Sequence, residues 1–118
     1  MAAQPHPSPP AGVPPADQLL DELLGSLLAD FRFWFARGLV LLELCPDRVM
    51  PPDQRRDLAL ELEEAQRALQ AAASLLAAAP APMALELDIL APWHRLVLRV
   101  WNLSAALRLA DVTLPERP

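Results

Sequence analysis

The chain has 118 residues, 53% of them hydrophobic but only 5% aromatic, and a formal net charge of −5 at pH 7. That length fits one domain, and the acidic balance, with a pI of about 4.8, repels phosphate backbones and argues against nucleic-acid binding. Ala and Leu dominate the hydrophobic set, so composition alone points to an all-α fold.

Mean hydropathy is +0.20, high for a chain too small to bury most of its surface. Either a partner covers apolar surface or the many alanines inflate the value. Every basic side chain is Arg, which suits bidentate carboxylate pairing, although a GC-rich genome produces the same bias. The single cysteine, Cys45, excludes an internal disulfide. Met1-Ala2-Ala3-Gln4-Pro5 lacks the charged and apolar regions of a signal peptide, and no uninterrupted apolar run approaches the ~20 residues of a membrane span. The cytoplasm is the default location, with peripheral attachment to a membrane as the alternative.

Residues 1–16 read as a disordered tail. Pro5, Pro7, Pro9, Pro10, Pro14 and Pro15 fix φ and remove backbone donors, leaving a spacer or a ligand for a proline-binding groove. The bundle domain is expected over 17–110. Its first helix starts at Asp17, a good N-cap, and runs to about Leu44. Leu20, Leu24, Leu27, Phe31, Trp34, Gly38 and Leu41 form a four-three stripe, widened by Leu28, Phe35 and Leu42. Gln18, Asp21, Glu22, Ala29, Arg32 and Arg37 occupy the other side. Gly38 costs ~1 kcal/mol relative to Ala in a helix, which a close helix crossing would explain. Cys45-Pro46 ends the helix.

The second helix opens at Pro51-Pro52, with Pro52 at the first helical position. Leu58, Leu62, Ala65, Leu69, Ala72 and Leu76 give the cleanest periodicity in the chain. Asp53, Asp57, Glu61 and Glu64 line a neighbouring face, open to solvent, to a cation or basic partner, or to Arg95, Arg99 or Arg108 of the third helix. Pro80-Ala81-Pro82 breaks the second helix. Residues 83–90 read as an extended connector or as a first helical turn capped by Asp88. The third helix starts near Pro92 and ends near Ala110, with Trp93, Leu96, Val97, Val100, Ser104 and Leu107 on one face. Residues 111–118 form a short tail. The whole reads as a small antiparallel three-helix bundle.

Asp30-Phe31-Arg32-Phe33-Trp34-Phe35, the Asp53-Gln54 helix start and Ala91-Pro92-Trp93-His94-Arg95-Leu96-Val97 together resemble a family of small uncharacterised cyanobacterial proteins. That family reads D-F-Q-Y-W-F, E-E-Q-A-D-L-L and M-P-W-H-Q-L-V at the corresponding places. The resemblance covers roughly residues 19–108 and implies a photosynthetic bacterium as source, with thylakoid machinery nearby. It lends no activity, cofactor or partner. Phe33 replaces the family's tyrosine, and Arg32 and Arg95 replace glutamines.

No catalytic constellation stands out. Cys45, His6 and His94 are too few and too scattered for zinc, and no carboxylate precedes a histidine at the spacing of di-iron bundles. The three glycines form no phosphate loop. No cofactor is expected, and the chain reads as a non-enzymatic interaction protein. Successive helical residues turn by about 100°, so Phe31, Trp34 and Phe35 can face inward together while Phe33 points elsewhere. The candidate partner-binding residues are Phe33, Trp34 and Arg37 on the first helix, Asp53, Asp57 and Glu61 on the second, and Trp93 and His94 opening the third. The partner is another protein or a second copy of this chain. The alternatives are a peripheral membrane protein of the thylakoid or plasma membrane, and a helical pocket for a pigment near Trp93, His94 and Trp101.

Overall fold

The computed structural model describes residues 16–78 and 87–116. They form three helices, α1 (Ala16–Leu44), α2 (Pro52–Ala78) and α3 (Leu87–Leu109), and no strand occurs among the described residues. The all-α three-helix reading therefore holds. The proline-rich tail up to residue 15, the Pro80-Ala81-Pro82 break and the 83–86 part of the ambiguous connector lie outside the described residues. So do the side chains of Asp17 and Asp88, to which capping roles were assigned.

Cross-helix contacts give the path. Arg55 of α2 donates to the Cys45 carbonyl at the end of α1, and Arg32 Nη2 lies 3.5 Å from Gln70 Oε1, so α2 runs back along α1. Phe31 meets Trp93 and Trp34 meets Trp101, so α3 runs in the direction of α1. The order is up, down, up. The backbone of α1 approaches both others closely, whereas the α2 and α3 backbones stay further apart and meet through side chains.

The core takes Leu28, Phe31, Phe35, Leu41 and Leu42 from α1, Leu58, Leu62, Ala65 and Leu69 from α2, and Trp93, Val97, Val100, Leu103 and Leu107 from α3. The α2 stripe matches its periodicity. On α1 the centre of the stripe is displaced onto Leu24, Leu28, Phe31, Phe35, Gly38 and Leu42, because α1 must serve two neighbours. Leu20, expected on the buried stripe, is exposed. Leu19 and Leu23, near the start of α1, are exposed as well. On α3, Leu103 fills the inner position expected for Ser104.

Gly38 marks the closest approach. A Cβ there would stand 2.7 Å from Val100 Cγ2 and 2.8 Å from Leu62 Cδ1, so all three helices meet at a missing methyl group. The expected crossing is present.

Chain ends and connectors follow local chemistry. Proline disfavours helical geometry in the residue before it, here Cys45, and α1 stops at Leu44, two residues before Pro46. Val49 N–H closes a turn on the Pro46 carbonyl at 3.0 Å. Pro52 takes the first helical position of α2, and Arg55 N–H makes the opening bond to the Pro51 carbonyl at 3.0 Å. Arg55 also pairs with Asp47, which ties the connector to α2.

Helix α3 begins at Leu87, five residues before Pro92, so the start expected near Pro92 is overturned and residues 87–90 are helical, as in the first-turn alternative, not an extended connector. Pro92 is the sixth residue of α3, just past the first four N–H groups that lack intrahelical partners anyway, so it removes a single i→i−4 bond close to the helix start. Burial of Trp93 and partial burial of Leu90 against the core hold the helix across it. Residues 111–118 are not a free tail throughout, since Val112 and Leu114 pack on the core. Val112 N–H reaches the Leu107 carbonyl at 3.0 Å and Asp111 N–H the Arg108 carbonyl at 3.1 Å. With Asp111 at φ 60°, this is a Schellman end with aspartate in the left-handed position.

Candidate functional site

The densest side-chain chemistry on the surface lies where α1 faces α3. Phe33 follows Arg32 and precedes Trp34, so the 100° step per residue turns it away from the core that holds Phe31 and Phe35. It is 43% exposed. Its ring stands edge-on to Trp34 at 5.0 Å and 88°, and Trp34 stands edge-on to Trp101 at 5.6 Å and 80°. Trp34 is half-buried and Trp101 is 47% exposed. Aromatic pairs prefer this edge-to-face arrangement. The result is a fixed row of three rings across α1 and α3.

A groove of about 320 Å³ runs beside that row, lined by Phe33, Trp34, Arg37, Trp101, Ser104, Arg108 and Glu116. Arg37, expected on the polar side of α1, is only 8% exposed. It sits three and four residues after Trp34 and Phe33, on the flank that α3 covers. Its Nη1 is sealed from solvent and has no hydrogen-bond partner.

The other candidates do not join this site. Asp53, Asp57 and Glu61 are exposed along α2. Asp53 Oδ1 accepts from the Gln54 N–H at 3.0 Å at the start of the helix. Glu61 pairs with Arg99 of α3, one of the cross-helix partners anticipated for that face. Both side chains are about half exposed, so the pair contributes about 0–1 kcal/mol. Trp93, expected on a contact surface, is buried against Phe31 and Phe35 at 5.5 and 6.4 Å. His94 is exposed, its ring edge-on to Phe31 at 5.1 Å.

A second groove, of about 480 Å³, separates α2 from α3, with Ala65, Ala68, Pro92, Trp93 and Leu96 in its lining and the Glu61–Arg99 pair beside them. Among the described residues no group of His, Cys, Asp and Glu is placed to hold a metal ion, and no helix is long and apolar enough to cross a membrane. Cys45 is buried. Burial pushes its thiol up, against the opposing charge of Arg55, so it stays protonated and is a poor nucleophile.

The sequence groups Trp101 with Trp93 and His94 in a candidate pigment pocket and Arg108 with the candidate partners of the acidic α2 face, and puts neither in this groove. Trp101 precedes Asn102 on the outer side of α3 and shows no stripe membership. Its relation to Trp34 requires the parallel docking of α1 and α3, which no local pattern encodes.

No curated protein and no solved structure matches the chain. A model of the family described as "Protein of unknown function (DUF2605)" matches residues 14–109.

Proposed function

The chain belongs to the DUF2605 family, and we propose that it works as a non-enzymatic protein-interaction module, an adaptor, assembly factor or regulator. The observation that carries this reading is the exposed row Phe33–Trp34–Trp101. Scattered surface apolar residues are ordinary, but contiguous apolar patches mark contact sites, and Trp and Phe are enriched at the centres of protein interfaces. Edge-to-face packing holds the rings before any partner arrives, which lowers the ordering cost of binding. The reading takes the host to be a photosynthetic bacterium and the compartment to be the cytoplasm. A peripheral membrane role is the lesser reading, because a net charge of −5 opposes anionic lipid surfaces.

The test is a tagged pull-down from the native host in mild detergent, comparing the natural chain with Phe33→Ser. The variant is expected to keep its unfolding free energy within about 1 kcal/mol, as a surface substitution does, and to lose a specific co-purifying protein. Equal recovery of every companion by both forms would overturn the assignment of the aromatic row. Flotation of the chain with neutral liposomes would move the reading to the membrane.

A further inference from the structure

The groove beside the aromatic row contains more than apolar surface. Arg37 is more than nine-tenths buried and its Nη1 lacks a hydrogen-bond partner. Among the described residues no ion pair involves it or Arg108. A guanidinium offers five donors and stays charged at any physiological pH. Burying one without a counter-charge is unfavourable, and such a cost persists where a site is completed by a ligand.

The lining holds two cations, Arg37 and Arg108, against one acid, Glu116. On a chain whose overall charge is −5, that is a local reversal of sign. The α2–α3 groove has no such imbalance, because Glu61 and Glu64 face Arg95 and Arg99 there, and Glu61 is already bonded to Arg99.

We infer that this groove receives the carboxylate of an Asp or Glu in an acidic segment of the partner protein, bonded by exposed Arg108 and drawn in by the buried charge of Arg37, while a neighbouring apolar side chain packs on the aromatic row. The inference rests on the interaction reading above and names the partner's chemistry. Charge complementarity selects a carboxylate, and the exposed fork of Arg108 can donate two parallel bonds to its oxygens. Continuity of the groove with exposed Phe33 and Trp101 selects a peptide, since a free small anion would leave the rings uncovered. Glu116 occupies the rim as an internal competitor.

The test is display selection of random peptides on the full chain, followed by titration of the enriched synthetic peptides with tryptophan fluorescence as readout. Enriched peptides are expected to carry Asp or Glu within two positions of an aromatic or aliphatic residue. Changing that acid to its amide should weaken binding by about tenfold or more, as should Arg108→Gln. Glu116→Gln should tighten binding. Arg37→Met should abolish acid-dependent binding while melting no lower than the natural chain, because it removes an unpaired buried charge.

Enriched peptides without acids, no enrichment at all, or acid-dependent binding untouched by Arg108→Gln would overturn the inference. If Arg37→Met unfolds, Arg108→Gln and Glu116→Gln still decide. Dimerisation of the chain that Arg108→Gln abolishes, with no peptide enriched, would put a second copy's acids in the groove and overturn the partner assignment. Loss of binding in Phe33→Ser but not in the arginine variants would leave the interaction module standing and remove the carboxylate.

Discussion

Two glycines in α1 have opposite environments. Gly38 has Val100 and Leu62 methyl groups where a Cβ would go, at 2.7 and 2.8 Å, while Gly25 has nothing within 4 Å. Alanine gains about 1 kcal/mol over glycine in a helix interior. At Gly25 that gain is free, so Gly25→Ala should raise the unfolding free energy by about 0.5–1 kcal/mol. At Gly38 the new methyl must displace Val100, whose branched side chain has little rotamer freedom. Overpacking of this kind costs about 1–3 kcal/mol, so Gly38→Ala should lose about 1 kcal/mol net. Urea denaturation of the two variants decides it; a gain at both positions would mean that the crossing yields easily.

Helix α3 is built against two local rules and held by packing. Its proline lies inside it, and its end uses Asp111 at φ 60° where glycine is the usual residue. A non-glycine residue in that region is strained by about 1–2 kcal/mol, less for aspartate. The Asp111→Gly variant should therefore gain about 0.5–1 kcal/mol, read as a thermal midpoint several degrees higher. An unchanged or lower midpoint would show that the aspartate side chain compensates locally. Arg48 adds a tie from the first connector, its Nη2 donating to the Ala110 carbonyl at 3.0 Å. The α2 stripe was legible in the sequence because that helix buries one narrow face, Leu58, Leu62, Ala65 and Leu69, at a regular four-three spacing. The start of α3 was not, since a proline rule applied alone overrides the burial of Leu90 and Trp93 that carries the helix through.

The molecule as a whole turns on α1. Because the backbones of α2 and α3 each lie closer to α1 than to each other, α1 is the helix whose loss would open the core most. Amide hydrogen exchange should be slowest in its middle, Phe31 to Leu42, and faster toward the ends of α2 and α3. Slowest exchange in α2 or α3 would contradict that hierarchy. The same centrality limits what sequence reveals. Periodicity locates three amphipathic helices, but α1 has two inward faces, so Arg37 reads as solvent-facing until α3 is docked. Phe33 was legible because Phe31 and Phe35, two residues to either side, claim the core. Trp101 and Arg108 were not, because their part in the groove depends on which helices lie side by side.

The crossing at Gly38 has a use in the living cell. A chain that loses a small part of its marginal stability at one buried position folds in the cold and fails in the heat. The Gly38→Ala substitution is thus the natural route to a temperature-sensitive allele. At the permissive temperature the strain carries the aromatic row and its groove intact, and a shift of the culture exposes which process stops first.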